Sequence, residues 1–242
     1  MLWHGLLKSA IWYFYSLYSR RVIMTRIAYT HNAYESISQD EMDEGMDYRF
    51  ELPTPDSTLK GIKLALLMGP CPEEPEIVVP LDFLRASGAQ VDVIAPDWTP
   101  QNWLPATRFW TPTIKIPYQK KISAAMVTDY QGVILVGGTW NPAVVRTDSV
   151  MLAFIRNAAN NGLPIFSICH GAQILINAGL ITKGLKITGS PDIRTDLRNA
   201  GAEVIEDQAV VTGNGSNFKI ISSRDPNDVA FFCRAIADYF KH

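Results

Sequence analysis

The chain has 242 residues, of which 47% are hydrophobic and 19% charged, with a formal net charge of −2. That length and apolar content allow one large globular domain or two small ones around a sizeable core. The near-neutral balance gives no electrostatic reason for nucleic acid or an anionic membrane surface as partner, and three cysteines without metal-ligand spacing (Cys71, Cys169, Cys233) form neither a zinc site nor a disulfide framework. A reducing, cytoplasmic setting is expected.

In chain order, "GLLKSAIWYFYSLY" at 5–18 is apolar and aromatic, and Arg20 and Arg21 follow it. It is shorter than the roughly 20 residues that span a bilayer and lacks the small-residue cleavage site of a secretory signal. Three readings remain: an arm packing on the domain or on a dimer partner, an interfacial membrane anchor, or residues upstream of a later start at Met24. The arm is preferred, and no membrane partner is expected. Residues 32–58 carry Glu35, Asp40, Glu41, Asp43, Glu44, Asp47, Glu51 and Asp56 against Arg49 alone, and end in "LPTPDST". They read as an acidic linker or surface strap. The division expected is therefore 1–58 as arm and linker and 59–242 as the domain.

Strand and helix patterns then alternate. "IKLALLMG" (62–69) is a buried strand, "EIVVPLDFLRASG" (76–88) a helix closed by glycine, and "QVDVIAP" (90–96) a strand. Residues 97–131, rich in Trp, Pro and Thr with an alternating "TIKIPYQ", predict an edge hairpin or excursion. "GVILVGG" (132–138) is a strand, 147–160 a helix, "LPIFSIC" (163–169) a strand, and His170 to Ala178 a helix. A strand near 185–189, a helix from Asp192 to Ala200, strands near 208–212 and 218–223, and a helix over 225–240 complete the series. Asn214-Gly-Ser216 reads as a hairpin turn. The βαβ alternation predicts an α/β fold, a mostly parallel sheet with helices on both faces.

Ligands of open α/β sheets bind beyond the carboxyl ends of the strands. Three strand-ending segments carry suitable chemistry: "GPCPEEPE", "GGTWNP" and "CHGAQ". Cys169 stands where a strand turns abruptly into a helix, the geometry of a nucleophile elbow. Free N–H groups at that helix start are expected to favour its thiolate. Gly137 and Gly138 either close a strand or, with the N–H of His170, form an oxyanion hole. Cys71 is a resolving thiol or a loop cysteine without a role, and Cys233 belongs to the apolar stripe of the last helix.

"SICHGAQILINAGLITKGLKITGSPDIRTDLRNAGAEVIED" and "SSRDPNDVAFFCRAI", with "EEPEIVVPLDFLRASGAQVDVIAPD" and "YQGVILVGG" upstream, resemble the PfpI-like (ThiJ/PfpI) superfamily over about residues 61–240. That superfamily holds the Parkinson-associated protein deglycase and the PfpI peptidase. The resemblance implies a flavodoxin-like domain, Cys169 as elbow nucleophile, and Glu76 as a carboxylic acid hydrogen-bonded to its sulfur, with Glu73 one loop turn earlier lining the pocket. It also implies an acid a few residues after the glycine turn that orients the histidine. Here that position is near Ala143, so His170 is expected to lack an orienting carboxylate. The post-elbow loop departs as well, with Ser190 in place of a tyrosine or histidine and Asp192 in place of a glycine. Trp140 is expected to add an apolar wall.

The implied function is a cofactor-independent cysteine enzyme, using no metal, that acts on a small electrophilic metabolite. Glyoxalase or deglycase, hydratase and amide hydrolase chemistry are all candidates, in a homodimer or higher homo-oligomer. The missing acid argues against a peptidase. The alternative is a thiol-based redox sensor or a small-molecule binding protein. A class I glutamine amidotransferase needs a His-x-Glu pair near its C-terminus, and the only histidine after His170 is His242.

Overall fold

The computed structural model describes residues 51–241. The arm, the anchor alternative, Met24 and most of the acidic stretch lie outside the described residues. The described part of the linker, through Asp56, is irregular and leads into a 3-10 turn at Ser57–Leu59 whose Leu59 is already core.

Strands β1 (Lys63–Leu67), β2 (Gln90–Ala95), β5 (Lys120–Lys121), β6 (Gly132–Leu135), β7 (Ile165–Ile168), β10 (Val210–Asn214) and β11 (Lys219–Ser223) form one sheet. Their order is β10-β11-β7-β6-β1-β2-β5, and every pairing is parallel except β10 with β11. Both faces of the central strands are covered, which is why β1 reads as a continuous apolar run rather than an alternating one. Leu64 and Leu66 join the core on one face, Ala65 and Leu67 the core on the other.

Helices α1 (Glu74–Ala86) and α6 (Val229–Tyr239) pack together on the first face. Phe232, Cys233 and Ile236 of α6 are fully buried there. On the opposite face lie α3 (Ser149–Asn160), α4 (Ala172–Asn177) and α5 (Arg194–Asn199). The local signals agree with these bounds. Pro75 and the acids Glu74 and Glu76 occupy the first turn of α1, where a missing N–H costs nothing and the dipole favours negative charge. Asp148 caps α3 by accepting the N–H groups of Val150 and Met151 at 2.9 and 3.1 Å.

Two small sheets stand apart. Strands β3 (Trp103–Arg108) and β4 (Thr111–Pro117) make the antiparallel hairpin expected within 97–131. The strand expected near 185–189 is shorter, β8 (Lys186–Ile187), and pairs in parallel with β9 (Glu203–Val204) outside the main sheet. A short helix, α2 (Trp140–Val145), follows the glycine turn, where only a turn was expected. Pro142 and the brevity of the helix hide it from periodicity.

The chain winds from β1 to β2 on one side and from β1 to β6 and β7 on the other. The carboxyl ends of β1 and β6 therefore mark a topological switch point, and a crevice opens there.

Candidate active site

Three strand ends meet in that crevice. After β7 the chain turns at Cys169 (φ 58°) into a 3-10 turn, Cys169–Gly171, that runs on into α4. A left-handed backbone at a residue with a Cβ is rare and costs of order 1–3 kcal/mol, which close packing must hold. Gly171 supplies some of that packing: a Cβ there would lie 2.4 Å from the carbonyl oxygen of Leu135. The elbow is locked against β6.

Glu76, in the first turn of α1, is fully buried. Its Oε2 accepts the N–H of Gly137 at 2.7 Å, and its carboxyl hydrogen-bonds the Cys169 thiol. Burial pushes its pKa up to about 8; the charge of Glu73 adds to this, while the bonds from Cys169 and Gly137 oppose it. Among the described residues Oε1 has no hydrogen-bond partner, which a protonated carboxyl tolerates far better than a carboxylate. Gly137 has to be glycine at this contact. A Cβ there would sit 2.5 Å from Oε2 of Glu76 and 2.7 Å from Cβ of Cys169.

The Cys169 thiol does not follow the expectation of a depressed pKa. Burial raises it well above its ordinary value and an ionised Glu76 raises it further, whereas the backbone N–H groups of His170 and Gly138 favour the thiolate and only partly offset this. The effect of Glu76 depends on its own proton. As a carboxylate it repels the thiolate; as an acid it donates to it. Once one proton has left, the two groups share the other.

The expected absence of a carboxylate for His170 is corrected by the structure. The Nδ1 atom lies 3.2 Å from Sγ of Cys169, and Nε2 lies 2.7 Å from Oδ2 of Asp192. The acid comes from the same chain, through the loop between β8 and α5. Ser190 donates to Oδ1 of Asp192 at 2.5 Å, and the N–H of Ser190 reaches the carbonyl of Cys169 at 3.4 Å. Burial raises the Asp192 pKa, but the bonds from Ser190 and His170 outweigh it and hold the carboxyl below its ordinary value. Cys169, His170 and Asp192 thus form a continuous chain of polar contacts. Asp192 stood out in the sequence as an unusual acid; its partner did not, because only the departure of β8 from the main sheet brings this loop back over the elbow.

The expected oxyanion hole is also revised. The N–H of Gly137 is taken by Glu76, so the donors facing the sulfur are those of Gly138 and His170. Gly138 has φ 78°, and a Cβ on it would lie 2.5 Å from the nitrogen of Glu73.

A cavity of about 380 Å³ opens above the thiol. Glu73, Gly138, Trp140, His170 and Ser190 line it, as do Phe109 and Trp110 at the tip of the β3–β4 hairpin and Asp225 and Asn227 before α6. Sequence reasoning missed the last four. The hairpin itself was legible, but which of its ends would reach the crevice was not. Cys71 has φ 57°, and its N–H is bonded to the carbonyl of Pro105 at 2.7 Å. All three cysteines are free thiols. Among the described residues, no group of three or more His, Cys, Asp or Glu could hold a metal ion, and no helix is long and apolar enough to cross a membrane.

A model of the DJ-1/PfpI family matches residues 62–239. Protein/nucleic acid deglycase 2 of Escherichia coli is 30% identical over 172 residues, 71% of this chain and 94% of that protein. Deglycase TK1284 of Thermococcus kodakarensis is 31% identical over 173 residues, 72% and 96% of the two chains. Among solved structures, a two-domain protein of Anabaena variabilis with DJ-1/ThiJ/PfpI-like and ferritin-like domains superposes with a TM-score of 0.67 at 28% identity, covering 75% of this chain. The chain spans about half the length of that protein, 48%. On a match running from the first strand to the last helix, and on relatives aligned over nearly their whole length, the chain belongs to the DJ-1/PfpI family.

Proposed function

We propose that the protein is a cofactor-independent cysteine enzyme of the deglycase or glyoxalase type, acting on small carbonyl electrophiles through a covalent adduct at Cys169. The observation that carries this reading is the line from Sγ of Cys169 through the ring of His170 to Asp192, with Glu76 against the same sulfur. The deglycases among its relatives support the same class.

With Nε2–H directed at Asp192, Nδ1 faces the thiol as an acceptor and takes its proton. The thiolate adds to the aldehyde carbon of an α-oxoaldehyde, and the developing alkoxide is held by the N–H groups of Gly138 and His170. The resulting hemithioacetal carries a carbon-bound proton. The His170 imidazolium gives its proton to the alkoxide, and the neutral ring then removes the carbon-bound proton and delivers it to the neighbouring carbon, which leaves a thioester of a 2-hydroxy acid. Water cleaves the thioester and restores the thiol. The net change is R–CO–CHO + H2O → R–CH(OH)–COOH. One carbon is oxidised as its neighbour is reduced, so no external oxidant or reductant enters. When the carbonyl compound is bound to an amine, the C–N bond breaks and the His170 imidazolium supplies the amine's proton. The contact with Asp192 provides the acid–base partner that this second route, and amide hydrolysis, require.

The test is turnover of methylglyoxal to lactate by the wild type and by Cys169→Ser. Undiminished turnover in the variant overturns the reading. Stoichiometric oxidation of Cys169 by mild peroxide, in a protein that turns over no aldehyde, isocyanide or amide, favours a thiol sensor instead.

A further inference from the structure

From the aromatic mouth of the cavity we infer that the site selects carbonyl substrates carrying an aryl group, and that Phe109, Trp110 and Trp140 are its specificity-determining residues. The inference rests on the proposed carbonyl chemistry of Cys169 and names the substrate class.

Three large aromatic side chains of this cavity remain mostly in solvent: Phe109 is 52% exposed, Trp110 68% and Trp140 65%. An aromatic side chain offers roughly 150–250 Å² for burial, so Trp110 and Trp140 gain most from a ligand that covers them. They come from two separate elements, the hairpin tip and the first residue of α2, and both sets line the cavity that holds the thiol.

The hairpin tip is also held at a cost. Phe109 has φ 52°, a left-handed conformation in which a bulky residue is an outlier and glycine would be relaxed. Its N–H donates to the carboxylate of Glu73 at 3.0 and 3.2 Å. Glu73 is buried and immediately precedes α1, whose next residue, Glu74, pairs with Arg108 at 3.0 Å. The chain thus anchors a strained turn to the helix that delivers Glu76, and the turn presents Phe109 and Trp110 to the cavity. Their rings touch, with centroids 5.7 Å apart and planes tilted by 53°.

Charge narrows the choice of ligand. Among the described residues that line the cavity there is no lysine or arginine, while Asp225 is acidic, so a neutral substituent is favoured over an anionic one. A volume of about 380 Å³ lies at the lower end of the roughly 300–1,000 Å³ that encloses drug-sized ligands, and it far exceeds a three-carbon oxoaldehyde. A neutral aryl ring stacked on the tryptophans, with its carbonyl directed to the sulfur, fits both observations.

The test compares kcat/KM for phenylglyoxal, methylglyoxal and glyoxylate in the wild type, Trp110→Ala/Trp140→Ala and Glu73→Ala. The wild type is expected to prefer phenylglyoxal over methylglyoxal at least tenfold and to use glyoxylate least. The double variant should bring the phenylglyoxal preference to within about twofold of unity. Glu73→Ala should raise KM for phenylglyoxal more than it lowers kcat, and Glu73→Gln, which still accepts the Phe109 N–H, should restore KM. A wild-type ratio near one, or a ratio that the tryptophan changes leave intact, overturns the inference while methylglyoxal turnover upholds the enzyme reading. In parallel, saturation-transfer NMR with 2-hydroxyacetophenone on Cys169→Ser reads aryl binding without chemistry. Transfer to the ring protons that disappears in Cys169→Ser/Trp110→Ala/Trp140→Ala upholds the inference even where no oxoaldehyde is turned over, an outcome that sinks the enzyme reading alone. Absence of both transfer and turnover overturns both.

Discussion

Replacing Asp192 by Asn keeps the size and an accepting oxygen but removes the charge that faces Nε2 of His170 at 2.7 Å. A hydrogen bond to a charged group contributes about 1.5–3 kcal/mol when shielded from water. The Asp192 side chain is 64% exposed, so solvent screening brings this down to about 1–2 kcal/mol. Because that interaction strengthens when the ring becomes an imidazolium, the loss falls on kcat rather than KM, and kcat should drop about 5- to 30-fold. Steady-state turnover of an α-oxoaldehyde at several pH values measures it. Asp192→Asn with kcat within twofold of wild type would refute the claim that this carboxylate orients the ring.

The raised pKa of Glu76 sets a pH dependence of stability. The native state holds its proton between the ordinary value of 4.5 and about 8, where the unfolded chain has lost it. Stability therefore falls across this window as pH rises, by up to about 1.4 kcal/mol per pH unit, and Glu76→Gln should flatten denaturant midpoints measured from pH 5 to 8. The same variant removes the carboxylate charge beside the sulfur, so alkylation of Cys169 should begin at lower pH than in the wild type. Gly137→Ala drives a methyl group between Glu76 and Cys169 and should cost about 1–3 kcal/mol of stability with a loss of turnover out of proportion to it, read by urea melts beside kinetics. Phe232→Ala, in the core under α6 and outside the lining of the cavity, should cost about 3–5 kcal/mol yet leave KM unchanged in the fraction that remains folded.

Most of the frame was legible because it is written in contiguous residues. The apolar runs at 62–69, 90–96, 132–138 and 163–169 each contain an observed strand, and the abrupt change at Cys169 marks the elbow. Glu76 was legible through its family motif, and its place in the first turn of α1 follows from Pro75 and the acids beside it. What escaped depends on where loops return in space. Asp192 meets His170 because β8 leaves the main sheet to pair with β9, and nothing in a two-residue strand announces that departure. Phe109 and Trp110 reach the crevice because the hairpin docks on the loop before α1, through the N–H of Thr107 to the carbonyl of Pro72 at 2.9 Å. Gly137 loses its N–H to Glu76 for a similar reason: the glycine turn is tight enough that its first amide faces the helix rather than the cavity.

Glu73 and Glu76 are three residues apart at the start of one helix, the first tied to the aromatic tip and the second to the sulfur. With about 1.5 Å of rise per residue, that start acts as a fixed gauge of about 4.5 Å along its axis. The spacing between mouth and thiol is then a property of a single rigid turn and cannot drift with the loops on either side. Substitutions at the tip can change which group is gripped, while the depth at which its carbonyl arrives stays the same. Lengthening or shortening the chain by one residue between Glu73 and Glu76 would rotate one carboxyl by about 100° away from its task, so this segment should tolerate exchange of side chains far better than any change in length.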